Sequence, residues 1–434
     1  MSSFGFCPEL DTQILYFRAM KRYPLLAVLF ICVLALRSQQ LEPLLQAKID
    51  VVYLSSDMLQ GRETASEGER LAAEYIRSRF EGLGLKPAGV KGSWLYPFNF
   101  QETTNPHDTS LKSKGPSKTG NNVLAFLDNG APTTVVIGAH YDHLGMGGPG
   151  SGSLAANEIA IHNGADDNAS GIAGMLAIAQ ELLTNKNTRH NNYLFMAFSG
   201  EEKGLFGSNA YTKDSIAFNP SRINYMINLD MIGRLNEEKV LAISGIGTSP
   251  VWKSRFENNA IVEGIKISAT ESGMGPSDHT SFYLKNIPVL HFFTGQHQDY
   301  HKPTDDANLV NYEGILKISS LIVKSIEQFD QKGKLEFIKT KDESGRRSST
   351  FKVSMGVMPD YLYQSGGLRI DGVTEGRPAA MAGLQAGDII LKMGSKVILD
   401  IHGYMEALGS FNKGDKVSIE LKRKDEIKTL EVTF

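Results

Sequence analysis

Residues 192–208 read Asn-Tyr-Leu-Phe-Met-Ala-Phe-Ser-Gly-Glu-Glu-Lys-Gly-Leu-Phe-Gly-Ser. The run from Asn192 to Phe198 is apolar almost throughout, as expected of a strand covered on both faces. Leu205 to Ala210 has the character of a helix opening. Between them lie two adjacent carboxylates, Glu201 and Glu202. In an open α/β sheet, ligands bind outside the carboxyl ends of the strands. A Glu-Glu pair at such a place is either a solvated loop or part of a site, and the remaining strand ends decide which.

Working outward, strand-like runs fall at 122–127, 133–139, 222–229, 239–244 and 288–293, with helical patterns at 170–183 and 314–329. Strands alternating with helices predict an α/β domain over 41–330, a mostly parallel mixed sheet with helices on both faces. Residues 41–84 read as helical. Ser66-x-x-Glu69 forms a capping box, and Leu71, Tyr75, Ile76 and Phe80 form the buried stripe. Residues 98–120 are polar and predict an exposed excursion. Residues 331–349 are charged and Ser-rich and predict a linker; residues 350–434, with short strands and Gly-bounded turns, predict a small separate domain.

The length of 434 residues exceeds one compact core, and a formal charge of -3 offers no basic stripe for nucleic acid. The twelve apolar residues 25–36 follow Lys21-Arg22 and precede polar 37–40, the pattern of a signal peptide over 20–38. Residues 1–19 then read as an upstream extension from a misassigned start. The alternative is an uncleaved anchor helix, although a membrane span needs about 20 residues. The two cysteines, Cys7 and Cys32, both lie in this leader. The processed chain could hold neither a disulfide nor a Cys ligand, so a metal site must be built from His and carboxylates. These features predict a secreted or periplasmic protein of a bacterial envelope, with no stable membrane span after signal cleavage.

Five polar segments follow strands: His140-Tyr-Asp-His143, Gly164-Ala-Asp-Asp-Asn-Ala-Ser-Gly171, Glu201-Glu202, Asn228-Leu-Asp-Met-Ile-Gly233 and Asp299-Tyr-His-Lys-Pro-Thr304. Singly, each is ordinary: a surface histidine, an Asx turn, a solvated pair. Together, two His, two Asp and a Glu at one sheet edge are a ligand set for two dications such as Zn²⁺. In order and spacing, His140-x-Asp142, Asp167-x-x-Ser-Gly171, Glu201-Glu202, Leu229-Asp-Met-Ile-Gly233 and Tyr300-His301 resemble the motifs of the family-28 metallopeptidases, the co-catalytic dizinc aminopeptidases and their carboxypeptidase relatives. The resemblance covers roughly residues 50–330.

That resemblance implies two Zn²⁺ per chain and peptide substrates. Asp167 would bridge the metals, His140 and Asp230 would complete one centre, and Glu202 and His301 the other. Glu201 would be the general base, and Tyr300 a further catalytic hydrogen-bond donor. Asp142 would hold the His140 ring, and Asp278, in Ser277-Asp-His279, would stand behind the site, or else Ser277 or Asp278 would cap the following helix. The peptide bond after Asp167 would be cis. His143, His162, His291 and His297 read as loop or packing residues, Asp166 as turn chemistry or support, and Gly145–Gly152 as a mobile rim to the cleft.

The stretch from Gly366 to Ile390, with Pro-Ala-Ala-Met-Ala-Gly-Leu and Ala-Gly-Asp-Ile-Ile, resembles a PDZ domain of the type found in bacterial envelope proteases. It implies a groove between the segment at 354–358 and a helix at 402–408, suited to a peptide C-terminus or an added strand, or else a purely structural module. Pro359 removes one backbone donor there. Two other functions compete with aminopeptidase activity: glutaminyl-cyclase-like acyl transfer on a related fold with one zinc, and a catalytically silent PDZ-based binding protein.

Overall fold

A computed structural model describes residues 42–101, 116–148, 151–155, 158–340, 353–359, 363, 366–373, 376–399 and 401–434. The leader, part of the 98–120 excursion and residues 341–349 of the expected linker fall outside the described residues. Among the described residues, no helix is long and apolar enough to cross a membrane.

Helix α1 (Pro43–Leu54) leads through a short turn at Asp57–Arg62 to α2 (Glu67–Gly82). The capping box forms in part, because the amide of the N-cap residue Ser66 bonds the Glu63 carbonyl instead. Ser66 accepts from the Glu69 amide, while the Glu69 carboxylate reaches back to the Ala65 amide. A ten-stranded sheet follows, built from β1 (Lys86–Pro87), β2 (Leu95–Gln101), β3 (Ser117–Leu127), β4 (Thr133–His140), β5 (Asn191–Phe198), β6 (Ile223–Leu229), β7 (Val240–Ser244), β8 (Ile261–Val262), β9 (Ile265–Thr270) and β10 (Val289–Phe293). Its order is β1-β3-β5-β4-β6-β10-β7-β9-β8, with β2 beside β3. The centre, β5-β4-β6-β10, is parallel, whereas β3 and β7 run antiparallel to their inner neighbours.

Sequence periodicity explains the layers. Every residue of β5 and β6 is buried, which fits strands covered on both faces. Helices α3 (Gly171–Thr184) and α6 (Tyr312–Asp330) bring Ile172, Leu176, Ile318 and Ile322 into one large core with α2. On the other face, α4 (Phe206–Lys213) and α5 (His279–Tyr283) contribute Tyr211, Phe282 and Tyr283 to a second core against Leu194, Met196 and Phe198.

Two expectations change. The ends of the excursion are not loop: β2 pairs with β3 from Leu95↔Val123 to Gln101↔Ser117, and Phe98 and Phe100 are buried on alternate positions. The polar composition misled because only one face of β2 is covered. The first residues of the expected linker also pack. The Leu335 amide donates to Asn224, the Ile338 amide to the Thr248 carbonyl, and Tyr283 and Thr340 pair through their hydroxyls at 2.9 Å. Residues 334–340 are therefore a strap on the sheet domain.

The C-terminal part has its own sheet, order β11-β12-β13-β15-β16: β11 (Val357–Pro359), β12 (Leu368–Val373), β13 (Ile389–Met393), β15 (Lys416–Arg423) and β16 (Glu426–Thr433), with β14 (Lys396–Val397) on β13. Helices α7 (Pro378–Met381) and α8 (Ile401–Leu408) complete it. Its core is separate, with Met355, Leu368, Ile370, Ile390, Ile419 and Leu421 at its centre. Pro359 sits where the β11–β12 register shifts, a position that tolerates the missing donor.

Candidate active site

The parallel centre of the sheet aligns the strand ends. His140, the last residue of β4, pairs with Phe198, the last of β5, and Asp230 directly follows β6. Glu201 and Glu202 leave β5 at the same edge. Asp167 arrives on the turn Ala165–Ser170 that opens α3, and its peptide bond to Asn168 is cis.

That turn is held from several sides. Asp305 accepts from the amides of Asp166 and Asp167 at 2.9 and 3.0 Å. Asn168 accepts from the Met231 amide and donates to the Leu229 carbonyl, tying the turn to the end of β6. Asp166 accepts from the Gly233 amide, the Ser170 hydroxyl and the His297 ring, so it laces the loops together. Arg62, fully buried, donates only to backbone carbonyls: Tyr141, Leu54, Asn163 and Gly164. One guanidinium thus joins the end of α1 to the two segments that carry His140 and Asp167.

The side chains converge as two triads that share one residue. His140 Nε2 lies 3.3 Å from Asp167 Oδ1 and 3.2 Å from Asp230 Oδ1. His301 Nε2 lies 3.1 Å from Asp167 Oδ2 and 3.2 Å from Glu202 Oε2. Bond lengths near 2.1 Å at tetrahedral angles place neighbouring zinc ligands about 3.3 Å apart. In both triads the distances from histidine to carboxylate match that spacing, and Asp167 offers one oxygen to each. The donor set, imidazole with carboxylate and no thiolate, suits Zn²⁺ or a similar dication.

His143 also belongs to the site, which the sequence reading did not anticipate. Its Nδ1 is 2.7 Å from Glu202 Oε1 and 3.9 Å from Asp167 Oδ2, and the three residues form a second possible metal-binding group. At 2.7 Å the His143–Glu202 contact is a charge-assisted hydrogen bond and too short for two ligands on one tetrahedral ion. His143 therefore orients Glu202, whose other oxygen faces His301. Its contact residue lies 59 positions away, and no local pattern announces it.

Asp142 differs from expectation in the atom it uses. His140 Nδ1 donates to the Asp142 backbone carbonyl at 3.2 Å, while the carboxylate oxygen is 3.8 Å away. The carboxylate instead accepts from Thr64 and from the Glu201 amide. It positions the segment of Glu201. Asp278 is fully buried and holds the N-cap position of α5 without a side-chain capping bond. Tyr300 stacks on His301 with ring centroids 3.9 Å apart, and it packs against Met231, Ala242 and Phe293, an apolar wall beside the ligands.

Electrostatics separates the two adjacent glutamates. Burial alone would raise Glu202, but His301 and His143 outweigh it and hold Glu202 near a pKa of about 2. Asp167 lies well below the usual carboxylate range for the same reason: burial is overridden by His143, His140 and His301. Glu201 is pushed well above its ordinary value, first by burial and then by Asp230, Glu202 and Asp278, with His140 opposing in part. One carboxylate is fixed as an anion and its neighbour can take up a proton.

Fold and site together define an α/β protein with two adjoining candidate metal centres at the carboxyl edge of its sheet. Residues 122–326 match the family model of peptidase family M28, and residues 336–434 match that of the PDZ domain. These two stretches are what the chain shares with peptidase family M28 and with PDZ domains. Among curated proteins it is 28% identical over 202 residues to the alkaline phosphatase isozyme conversion protein of Escherichia coli, covering 46% of this chain and 54% of that one. It is 25% identical over 284 residues to aminopeptidase YwaD of Bacillus subtilis, covering 62% and 57%. The chain spans about half the length of these relatives.

Among solved structures it resembles a zinc aminopeptidase from Bacillus subtilis (TM-score 0.51, 16% identity, 71% of this chain and 97% of that one). A Zn-dependent exopeptidase from Parabacteroides distasonis is equally similar (0.51, 15%, 65% and 97%). So is the glutaminyl cyclase of Porphyromonas gingivalis (0.50, 14%, 66% and 98%). The fold is shared with both chemistries, and the choice between them falls to the site.

Proposed function

We propose that this chain is an exported zinc aminopeptidase that removes N-terminal residues from peptides, with the sheet domain at 41–330 as the peptidase and residues 350–434 as a PDZ domain that binds peptide or regulates access. The observation that carries the reading is the pair of triads meeting on Asp167, His140–Asp167–Asp230 and His301–Asp167–Glu202. These five residues would hold two Zn²⁺, with His143 and Asp142 as supports. Two such dications would supply Lewis acidity and lower the pKa of a water between them.

Glu201, beside the triads and ligating neither, takes the proton of the attacking water as general base and returns it to the leaving amine. Asp142 fixes the backbone of Glu201, so the carboxylate is placed before substrate arrives. Tyr300 stacks on the His301 ring and stands beside the apolar wall, where it can donate to the carbonyl under attack. The abundance of carboxylates at the site favours a substrate with a free α-ammonium. The signal-like leader supports export.

Glutaminyl-cyclase-like acyl transfer draws support from the fold alone, and a complete second triad favours two metals and hydrolysis. An intact, proton-competent Glu201 speaks against a silent binding protein. The test is release of nitroaniline from aminoacyl-nitroanilides by the purified protein, its loss with a chelator and its return with zinc. No zinc-restorable release, with peptide binding retained, would overturn the reading.

A further inference from the structure

The two triads are supported unequally. His140 ends a central strand, and its Nδ1–H is satisfied two residues further along its own chain by the Asp142 carbonyl. His301 lies on a turn with φ of +52°, a region that non-glycine residues rarely adopt and that needs support from neighbours. That support comes from the glycine-rich rim. The Gly152 carbonyl accepts from His301 Nδ1 at 3.0 Å, which turns Nε2 toward Asp167 and Glu202 as the ring atom available to a metal. The Leu154 amide donates to the His301 carbonyl at 3.0 Å.

The rim segment 151–155 is fastened to the arm at 160–162 through Ser153. His162 Nδ1–H donates to the Ala160 carbonyl at 2.9 Å, so its Nε2 accepts, and the Ser153 hydroxyl donates to it at 2.7 Å. Ser153 Oγ in turn accepts from the Ala155 amide. Both side chains are buried. The His162 ring fills a niche that only glycine leaves open, because a Cβ at Gly147 would lie 2.2 Å from its Cε1. The His162 and Ala160 amides bond the Gly145 and Met146 carbonyls, joining the two arms of the rim.

We propose that Ser153 and His162 form a clasp that positions His301, so that the rim governs occupancy of the second metal centre and leaves the first untouched. The proposal rests on the two-zinc reading above. Partners of a ligating histidine are typically worth about 10–100-fold in metal affinity. Apo protein titrated with zinc against a chromophoric chelator should show two sites in the wild type. In Ser153→Ala the second should weaken about tenfold or more, with the first within about twofold of wild type.

Ser153→Thr, which keeps the hydroxyl, should restore the second site. His162→Ala opens the clasp from the other arm and should match Ser153→Ala, and the double variant should be no weaker than either alone. A second site unchanged in Ser153→Ala, or both sites weakened alike, overturns the clasp while leaving the two-zinc reading intact. A single zinc in the wild type overturns that reading itself. If Ser153→Ala does not fold, His162→Ala decides; if neither folds, the clasp is a general support of the fold and the proposal fails.

Discussion

Arg62 is the residue whose replacement should reveal most about how the site is held. It is fully buried, and its guanidinium bonds four backbone carbonyls on three segments. Arg62→Met would keep most of the apolar stem and remove one donor from each of those carbonyls. At roughly 1.5 kcal/mol each the loss is about 6 kcal/mol. Against it stands the charge, whose burial lowers the pKa well below its ordinary value, to about 10. A tenfold change is about 1.4 kcal/mol, so removing that charge returns about 3 kcal/mol. The net expectation is a loss of about 3 kcal/mol in the zinc-free protein, a large part of a typical domain's stability.

Arg62 also faces Asp167, Asp142, Asp305 and Glu202, so without metal it is a fixed positive charge among carboxylates. Its removal should hurt the zinc-free form more than the zinc-loaded form, in which the ions neutralise the same anions. Urea unfolding of wild type, Arg62→Met and Arg62→Lys, with zinc and with chelator, measures both effects. Arg62→Lys keeps the charge and loses the fork, and should fall between the other two. A zinc-free Arg62→Met within about 1 kcal/mol of wild type would refute the pinning argument. Equal losses with and without zinc would refute the electrostatic one.

Glu201→Gln should retain zinc at the wild-type stoichiometry and lose about 10³-fold in turnover, within the usual range for a general base; metal analysis beside nitroanilide kinetics checks it. Asp167→Asn places an amide where two ions need a shared anion, and bound zinc should drop below one per chain on gel-filtered protein. Zinc-free stability should fall as pH rises above 6.5. In that window His140 and His301 lie well above their ordinary value, because Asp230 and Glu201 for the first and Glu202 and Asp167 for the second outweigh burial, and Asp278, raised by burial to about 7, is still losing its proton. Groups with raised folded-state pKa values stabilise fully below their unfolded values and lose that contribution as pH passes the folded ones. Zinc competes with those protons, so the Tm gain on adding zinc should grow from pH 6.5 to 8.5; a flat or shrinking gain in thermal scans would contradict this.

The strand ends were legible in the sequence because β-strands are local: apolar runs mark where 133–139, 192–198 and 222–229 stop, and the polar residues beyond them land on one edge. His140, Asp167, Glu202, Asp230 and His301 come together as that reading implied. What was not legible depends on long-range contact. Arg62 reaches carbonyls up to 102 residues away, and His143 meets Glu202 across 59. Neither residue carries a motif: Arg62 lies inside a stretch that read as helical, and His143 read as a loop or packing residue. The Asp142 case is different: the residue was placed correctly, but its carbonyl and its carboxylate exchange tasks, which is a matter of local backbone direction that spacing does not encode. The 98–120 excursion failed because a strand covered on one face carries too few apolar residues to stand out from a loop.

The strap at 334–340 bears on how the two halves of this chain can be separated. The PDZ family match starts at residue 336, inside the strap, so a boundary drawn from homology would cut through a stretch the sheet domain uses. Ile338 and Thr340 would leave with the PDZ domain, and the Thr248 carbonyl and the Tyr283 hydroxyl would lose their partners. Tyr283 belongs to α5, which begins one residue after Asp278. A sheet-domain fragment ending at 335 should thus be poorly behaved for a reason unrelated to the PDZ domain, and one ending at 340 should not. Any loss of activity blamed on the missing PDZ domain has first to be measured on the longer fragment.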